Sequence, residues 1–467
     1  MGLAPGAIIL LALQLVAGQI IVDITAHSPT KEAIQSVDKQ TGRTFVQRQR
    51  EHATAVVHNA LDRRARVITN VPAADALNTY TAPITIGSGR SAQSYDLLID
   101  TGSSYTWVGS DKPYVKTSDA RDTGRTFTIR YGSGTAEGEH YTANLQFTGF
   151  SGSTMKNQGF GVASSSSGFG NVDGILGIGP TSLSSGTVSG LGQIPTVIDT
   201  LKRQGRIPNA IVAASFTPNT RGDTENRGSL ALGGTDPSKF NAGTLVYTSK
   251  VDSNPYWGAK INKFTYSTSR STQTLGAANP IGIVDTGTTL MLLPADAFKA
   301  YMASIPGAYI ASDTGLMMVP RSSYGSMGNL TFFWANKPFV LIPDAQLMPP
   351  ALGQLFEASN PNNDFVSIVA SSGGAEFTVG MMALTRFYSV FDTPHKRIGL
   401  AYTSSTFQRT AGISATQTKS RQKAEHHKAP VSGKPKSPKK RKGKRAVPLD
   451  SALARHRLDA AKRSAQF

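Results

Sequence analysis

The sequence predicts a mainly β protein, and three observations carry that prediction. From about residue 71 to about residue 402, short runs rich in β-branched and aromatic residues alternate with turns of Gly, Ser, Asn and Pro. The chain is rich in Gly, Ser and Thr and only 17% charged, a composition suited to half-buried strands and many turns. Helical windows are few and short, at 195–204, 294–304 and 352–357. The 467 residues suffice for two or three domains around a large core. With no cysteine in the chain, disulfides and thiolate metal sites are excluded, and stability must come from burial.

Taken from the N-terminus, residues 1–18 carry an apolar stretch over 7–17 that ends in small residues, as a cleaved secretory signal does. No Lys or Arg precedes it, and it is too short for a spanning helix. No other segment approaches spanning length, so a secreted, extracellular protein is expected, with a vacuole as the alternative destination. Residues 19–70 space polar and charged side chains helically (Lys31, Glu32, Asp38, Lys39, Arg43, Arg48, Arg50, Glu51) and end near the basic cluster Arg63-Arg64-Ala65-Arg66. Placed between a signal and a β-rich body, that stretch reads as a removable pro-segment.

Charge separates the rest into two parts. Residues 71–408 hold 23 basic and 22 acidic side chains, whereas residues 409–467 hold 17 basic and 3 acidic ones. Most of the formal charge of +18 therefore belongs to a tail on a nearly neutral body. A body built to grip nucleic acid would itself be basic. The Lys/Ser/Pro-rich stretch 410–449 cannot bury a core and is expected to be disordered; its basic run at 434–445 attracts polyanions without discrimination. The body holds only His140 and His395, too few for a His-based zinc site and far from any nucleophile-elbow motif. Arg221-Gly222-Asp223 reads as a chance surface turn, and Asn329-Leu330-Thr331 is the one glycosylation sequon of the body.

An internal repeat carries the chemistry. Leu97-Leu98-Ile99-Asp100-Thr101-Gly102-Ser103-Ser104 returns as Gly282-Ile283-Val284-Asp285-Thr286-Gly287-Thr288-Thr289. Each copy is an apolar strand that delivers a carboxylate into a tight turn, with glycine for close backbone approach and hydroxyls within reach of the carboxylate. Each has a downstream apolar partner ending in Gly, at Ile175-Leu176-Gly177 and, in weaker form, Thr378-Val379-Gly380. One such tripeptide would mean little, but two in matching apolar contexts point to paired carboxylates in one site. A separate feature is the alternation of apolar residues in Phe127-Thr128-Ile129-Arg130-Tyr131 and again through Tyr141, Ala143, Leu145 and Phe147. Around Gly132-Ser133-Gly134 this predicts a hairpin with a Gly-rich tip.

On these motifs, together with Trp107, Asp173-Gly174-Ile175-Leu176-Gly177, Ala345-Gln346-Leu347-Met348-Pro349 and Arg386-Phe387-Tyr388-Ser389-Val390-Phe391-Asp392, the body resembles the pepsin family of aspartic proteases. Within the family it is most similar to enzymes of basidiomycete fungi. The resemblance runs from about residue 71 to about residue 401 and leaves the tail uncovered. It implies a bilobal fold, two pseudo-twofold-related β-barrel lobes around a central cleft, with the lobes expected at 71–265 and 266–406 and a tail at 407–467. It implies an aspartic endopeptidase in which Asp100 and Asp285 are catalytic. Ser103 and Thr288 would bond the outer carboxylate oxygens, while Thr101, Gly102, Thr286 and Gly287 build the two turns. Tyr131, Gly132 and Ser133 would form the substrate-covering flap, with Trp107 bonded to the flap tyrosine.

No metal or cofactor is required by such a site. Protein or peptide substrates, inhibition by pepstatin-type compounds, a monomer, and no specific nucleic acid are expected. The alternative is a catalytically inert binding or inhibitor protein of the same fold. Such proteins usually lose an Asp, a turn glycine or the flap tyrosine, and this chain keeps all of them. One departure stands out: most relatives have Gly-Asp where this chain has Gly380-Met381, a change beside the second turn that could move the pH optimum.

Overall fold

The computed structural model describes residues 19–27, 47, 50, 79–131, 134–169, 171–220, 225–353, 360 and 362–410. The signal-like residues 1–18, the basic cluster 63–66, the tail from 411, the flap tip Gly132-Ser133 and residues 221–224 lie outside them. Among the described residues no helix is long and apolar enough to cross a membrane.

The first half of the chain builds strands β1 (Ile20–His27), β2 (Thr79–Ile86), β3 (Gln93–Asp100), β4 (Trp107–Val108), β5 (Arg121–Arg130), β6 (Thr135–Phe147), β7 (Met155–Ser167) and β8 (Gly174–Gly177). β9 (Ile211–Phe216) and β10 (Glu225–Leu232) follow. Period-two burial explains them: Tyr95, Leu97 and Ile99 of β3 and Tyr141, Ala143, Leu145 and Phe147 of β6 turn into the core. Each large apolar side chain so buried contributes roughly 1.5–3 kcal/mol, and truncating Phe147 to Ala would cost about 3–5 kcal/mol.

The second half adds β11 (Val246–Ser249), β12 (Gly258–Lys260), β13 (Phe264–Ser267), β14 (Thr272–Leu275), β15 (Ile281–Val284), β16 (Met291–Leu293), β17 (Tyr309–Ile310) and β18 (Met317–Val319). It continues with β19 (Asn329–Trp334), β20 (Lys337–Leu341), β21 (Phe365–Val366), β22 (Val369–Ser371), β23 (Phe377–Val379), β24 (Phe387–Asp392) and β25 (Arg397–Tyr402). Two expected helices appear as α1 (Val197–Arg203) and α2 (Ala295–Ala303). The third overlaps α3 (Pro350–Gly353) at 352–353, and its residues 354–357 lie outside the described residues, while a further turn, α4 (Met381–Leu384), has no counterpart in the sequence reading. α1 starts at a capping box, in which the Thr196 hydroxyl accepts from the Asp199 amide and the Asp199 carboxylate accepts from the Thr196 amide.

The two halves repeat one topology, as a mainly β, two-lobed fold requires. In the first, β3 runs parallel to β8, β8 antiparallel to β4, and β4 parallel to β7. In the second, β15 runs parallel to β23, β23 antiparallel to β16, and β16 parallel to β22. The downstream apolar runs seen in the sequence are thus the strands laid beside each carboxylate-bearing strand. A continuous sheet, ordered β11-β25-β24-β9-β10-β1-β2-β3-β8-β4-β7-β6-β5, ties the halves together.

The structure moves two boundaries. A division at 265/266 falls inside β13, which pairs with β14 and β19, and β11 and β12 already pair with strands of the second half. Composition does not change there, so strand pairing alone reveals it. At the C-terminal end the body continues past residue 406 to Thr410, because the buried Arg386 gathers that segment. Its guanidinium donates to the carbonyls of Ser405 (3.1 Å) and Gln408 (2.7 Å) and to the Thr410 hydroxyl (2.5 Å). The Asp344 carboxylate accepts from the Thr410 amide at 3.0 Å and from the Tyr324 hydroxyl. Within the stretch read as a pro-segment, β1 is a core strand: it lies between β10 and β2, with Val22 and Ile24 buried.

Candidate active site

β3 ends at Asp100 and β15 ends just before Asp285, and both carboxylates are taken out of water, at 1% and 0% exposure. Each is then satisfied from its own turn. The Gly102 amide donates to Asp100 Oδ1 at 2.7 Å and the Ser103 hydroxyl donates to Oδ2. The Gly287 amide donates to Asp285 Oδ1 at 2.9 Å and the Thr288 hydroxyl to Oδ2 at 2.6 Å. Amide and hydroxyl donors favour the charged form of a carboxylate, partly offsetting its burial.

The two turns also hold each other. The Thr101 amide donates to Thr286 Oγ1 and the Thr286 amide to Thr101 Oγ1, each at 3.0 Å. The Thr286 hydroxyl donates to the Ile99 carbonyl (2.8 Å) and the Thr101 hydroxyl to the Val284 carbonyl (3.3 Å). The glycines make the approach sterically feasible. A β-carbon on Gly102 would meet Asp285 Oδ1 at 2.7 Å, and one on Gly287 would meet Asp100 Oδ1 at 2.5 Å. Each carboxylate therefore lies against the glycine of the opposite turn, and the repeat becomes one pseudo-twofold site.

β5 and β6 form the hairpin above Asp100. The Tyr131 amide donates to the Gly134 carbonyl at 2.7 Å across its tip; Gly132 and Ser133 fall outside the described residues. Trp107 Nε1 donates to the Tyr131 hydroxyl at 2.8 Å, and the same hydroxyl is hydrogen-bonded with Ser103. A connected path thus runs from Trp107 through Tyr131 and Ser103 to Asp100. Burial, and then the Asp100 charge, push the Tyr131 phenol up, so it stays protonated. Trp107 is also the centre of an apolar cluster with Tyr105, Phe127, Phe169 and Ile175, against which Leu98, Ile129 and Tyr131 pack.

Tyr256 is a site residue that the sequence reading missed. It is buried with Ile283 against Leu183. Burial first, then the charges of Asp285 and Asp100, hold its phenol well above the ordinary range. No repeat or turn marks it; only the fold brings it to the carboxylates. Met381 lies buried in α4, and its amide donates to the Thr288 carbonyl at 2.6 Å. It is therefore a neighbour of the residue whose hydroxyl serves Asp285.

Comparison with known proteins agrees with this geometry. The family model described as eukaryotic aspartyl protease matches residues 79–403. Polyporopepsin of Irpex lacteus is 41% identical over 345 residues, covering 72% of this chain and 98% of polyporopepsin. An aspartic protease of Phaffia rhodozyma is 29% identical, covering 77% of this chain and 85% of its own length. The crystal structure of aspartic proteinase from Irpex lacteus superposes with a TM-score of 0.65 at 38% identity, over 71% of this chain and 96% of that one. Two lobes, two carboxylate turns and these likenesses place the chain in the eukaryotic aspartyl protease family, as an aspartic endopeptidase.

Proposed function

We propose that the chain is a secreted endopeptidase that hydrolyses proteins at acidic pH, with Asp100 and Asp285 as its reacting pair. The observation that carries this reading is the reciprocal contact of each carboxylate with the opposite turn's glycine. Two like charges held that close cannot both ionise cheaply, so the pair keeps one proton between them and titrates in two separated steps. Pepsin-type dyads are the standard example of that behaviour.

The chemistry follows from the shared proton. The ionised carboxylate takes a proton from a water molecule as its oxygen bonds to the scissile carbonyl carbon, and the protonated carboxyl donates to the carbonyl oxygen. The tetrahedral intermediate then collapses: its C–N bond breaks, the leaving nitrogen takes a proton from the pair, and one hydroxyl returns its proton to the other carboxylate as the carbonyl re-forms. No acyl-enzyme forms. Ser103 and Thr288 hold the outer oxygens, Thr101 and Thr286 fix the distance between turns, and the hairpin carrying Tyr131, Gly132 and Ser133 closes over an extended peptide. Tyr256, Ile283 and Leu183 offer an apolar wall beside Asp285 for a substrate side chain.

Hydrolysis of denatured globin by the acid-activated zymogen, followed from pH 2 to 7 with pepstatin or Asp285→Asn in parallel, tests this reading. Acid-dependent cleavage abolished by both is expected. Cleavage that survives Asp285→Asn would remove that residue from the chemistry. No cleavage at any pH, from folded protein freed of its pro-segment, would favour the inert binding homologue.

A further inference from the structure

A second buried pair lies behind the flap and takes no part in the chemistry above. The Tyr105 hydroxyl and His140 Nδ1 are 2.6 Å apart, with Tyr105 1% and His140 3% exposed. His140 belongs to β6, the return strand of the flap hairpin. Cross-strand register puts it in one row with the site: Arg125 of β5 faces His140, His140 faces Gly161 of β7, and Gly161 faces Trp107 of β4. The row is packed without slack. A β-carbon on Gly161 would meet the rings of Phe127 at 2.7 Å and Tyr105 at 2.9 Å, and one on Gly159 would meet His140 Cε1 at 2.8 Å. The Tyr105 and Phe127 rings are 5.4 Å apart, and Phe127 lies four residues from Tyr131 along the hairpin.

We propose that Tyr105 and His140 are positioning residues for the flap, which together hold the floor under Trp107 and Tyr131 only while His140 is uncharged. This rests on the reading of Asp100 and Asp285 as the reacting pair. The neutral ring fits its partners: it accepts from the Tyr105 hydroxyl at Nδ1 and bonds the Phe160 backbone. Adding a proton would reverse the Tyr105 bond, leave the phenol hydrogen without an acceptor in a dry site, and set a cation opposite Arg125. Arg125 and Tyr105 are the charged or titratable groups that face the ring. On its other side the ring neighbours Gly159 of β7 and the apolar Ile194, and it bonds the Phe160 backbone.

Burial, opposed by the Phe160 bond and reinforced by Arg125, holds the His140 pKa below its ordinary 6.5. A lowered histidine pKa contributes stability above about 6.5 that is lost as pH falls through the folded value. The pair is therefore engaged at neutrality and is strained only once the pH falls through that lowered value.

His140→Gln keeps an acceptor for Tyr105 and a donor for Phe160 without a titrating group. Thermal unfolding against pH is measured in an Asp285→Asn background, which prevents self-digestion, and kcat/KM against pH is measured in active enzyme. His140→Gln is expected to reduce the loss of Tm on acidification. In active enzyme it should also lower the limiting acid slope of log kcat/KM by about one proton, a tenfold effect per pH unit. Tyr105→Phe, which strips the neutral ring of its donor, should start the acid loss at higher pH, and it serves as the readout if His140→Gln does not fold. Superimposable pH profiles for all three proteins, or Tm shifts equal at every pH, would overturn the proposal. If no form cleaves peptide, the reading of the dyad fails, and the pair is judged on Tm against pH alone.

Discussion

Gly287 lies so close to Asp100 that a β-carbon on it would stand 2.5 Å from the carboxylate Oδ1. Gly287→Ala should therefore push the two turns apart while leaving the lobes folded. A displacement of this size is expected to lower kcat/KM by about 10²-fold, with Gly102→Ala acting likewise on Asp285. Gly152 provides the control, because a β-carbon there would meet nothing within 4 Å: Gly152→Ala should match wild type in the same assay.

Ser103→Ala and Thr288→Val each remove a hydroxyl that donates to a carboxylate. A donor to the charged form lowers a carboxyl pKa, so its removal raises it. At about 1.5–3 kcal/mol for a hydrogen bond to a charged group, the acid limb of kcat/KM should move up by about one to two pH units. A pH–rate profile that drops in height without moving would show that the hydroxyls position the carboxylates and do not tune them.

Met381→Asp puts a carboxyl in a buried place beside the second turn. Burial and the nearby Asp285 should raise the new carboxyl above its ordinary value of about 3.9. A raised carboxyl pKa leaves stability intact below that ordinary value and removes it as pH rises through the folded value. The variant should thus lose little Tm at pH 3 and considerably more at pH 7. An equal loss at both pH values would assign the effect to packing.

Arg386 predicts where the body can be cut. Ending the chain at Thr410 keeps its partners, whereas ending it at Tyr402 strips the guanidinium of Ser405, Gln408 and Thr410. A buried charge that loses its partners costs about 3–5 kcal/mol. Scanning calorimetry should find the shorter chain destabilised by that order and the longer one equal to full length.

The parts of this site that were legible in the sequence are those that repeat or alternate locally. Asp100 and Asp285 announce themselves through their turns, and Ile175-Leu176-Gly177 and Thr378-Val379-Gly380 through their match to the strands beside them. The flap hairpin follows from alternation alone. Tyr256, the Tyr105–His140 pair and the Arg386 node were not legible, because each joins residues distant in sequence that carry no shared pattern. β1 was hidden for another reason. Its apolar residues directly follow the signal-like stretch and precede a polar one, and its partner β10 lies some two hundred residues away.

β1 also bears on how long the enzyme lasts. β1 sits between β2 and β10, so a cut that removed residues 19–70 would take a paired core strand with them. A molecule cut in that way would have to refold without one of the strands it first folded around. Its persistence would then be governed by the height of the barrier to opening, and its working lifetime would be a half-life in place of an equilibrium constant.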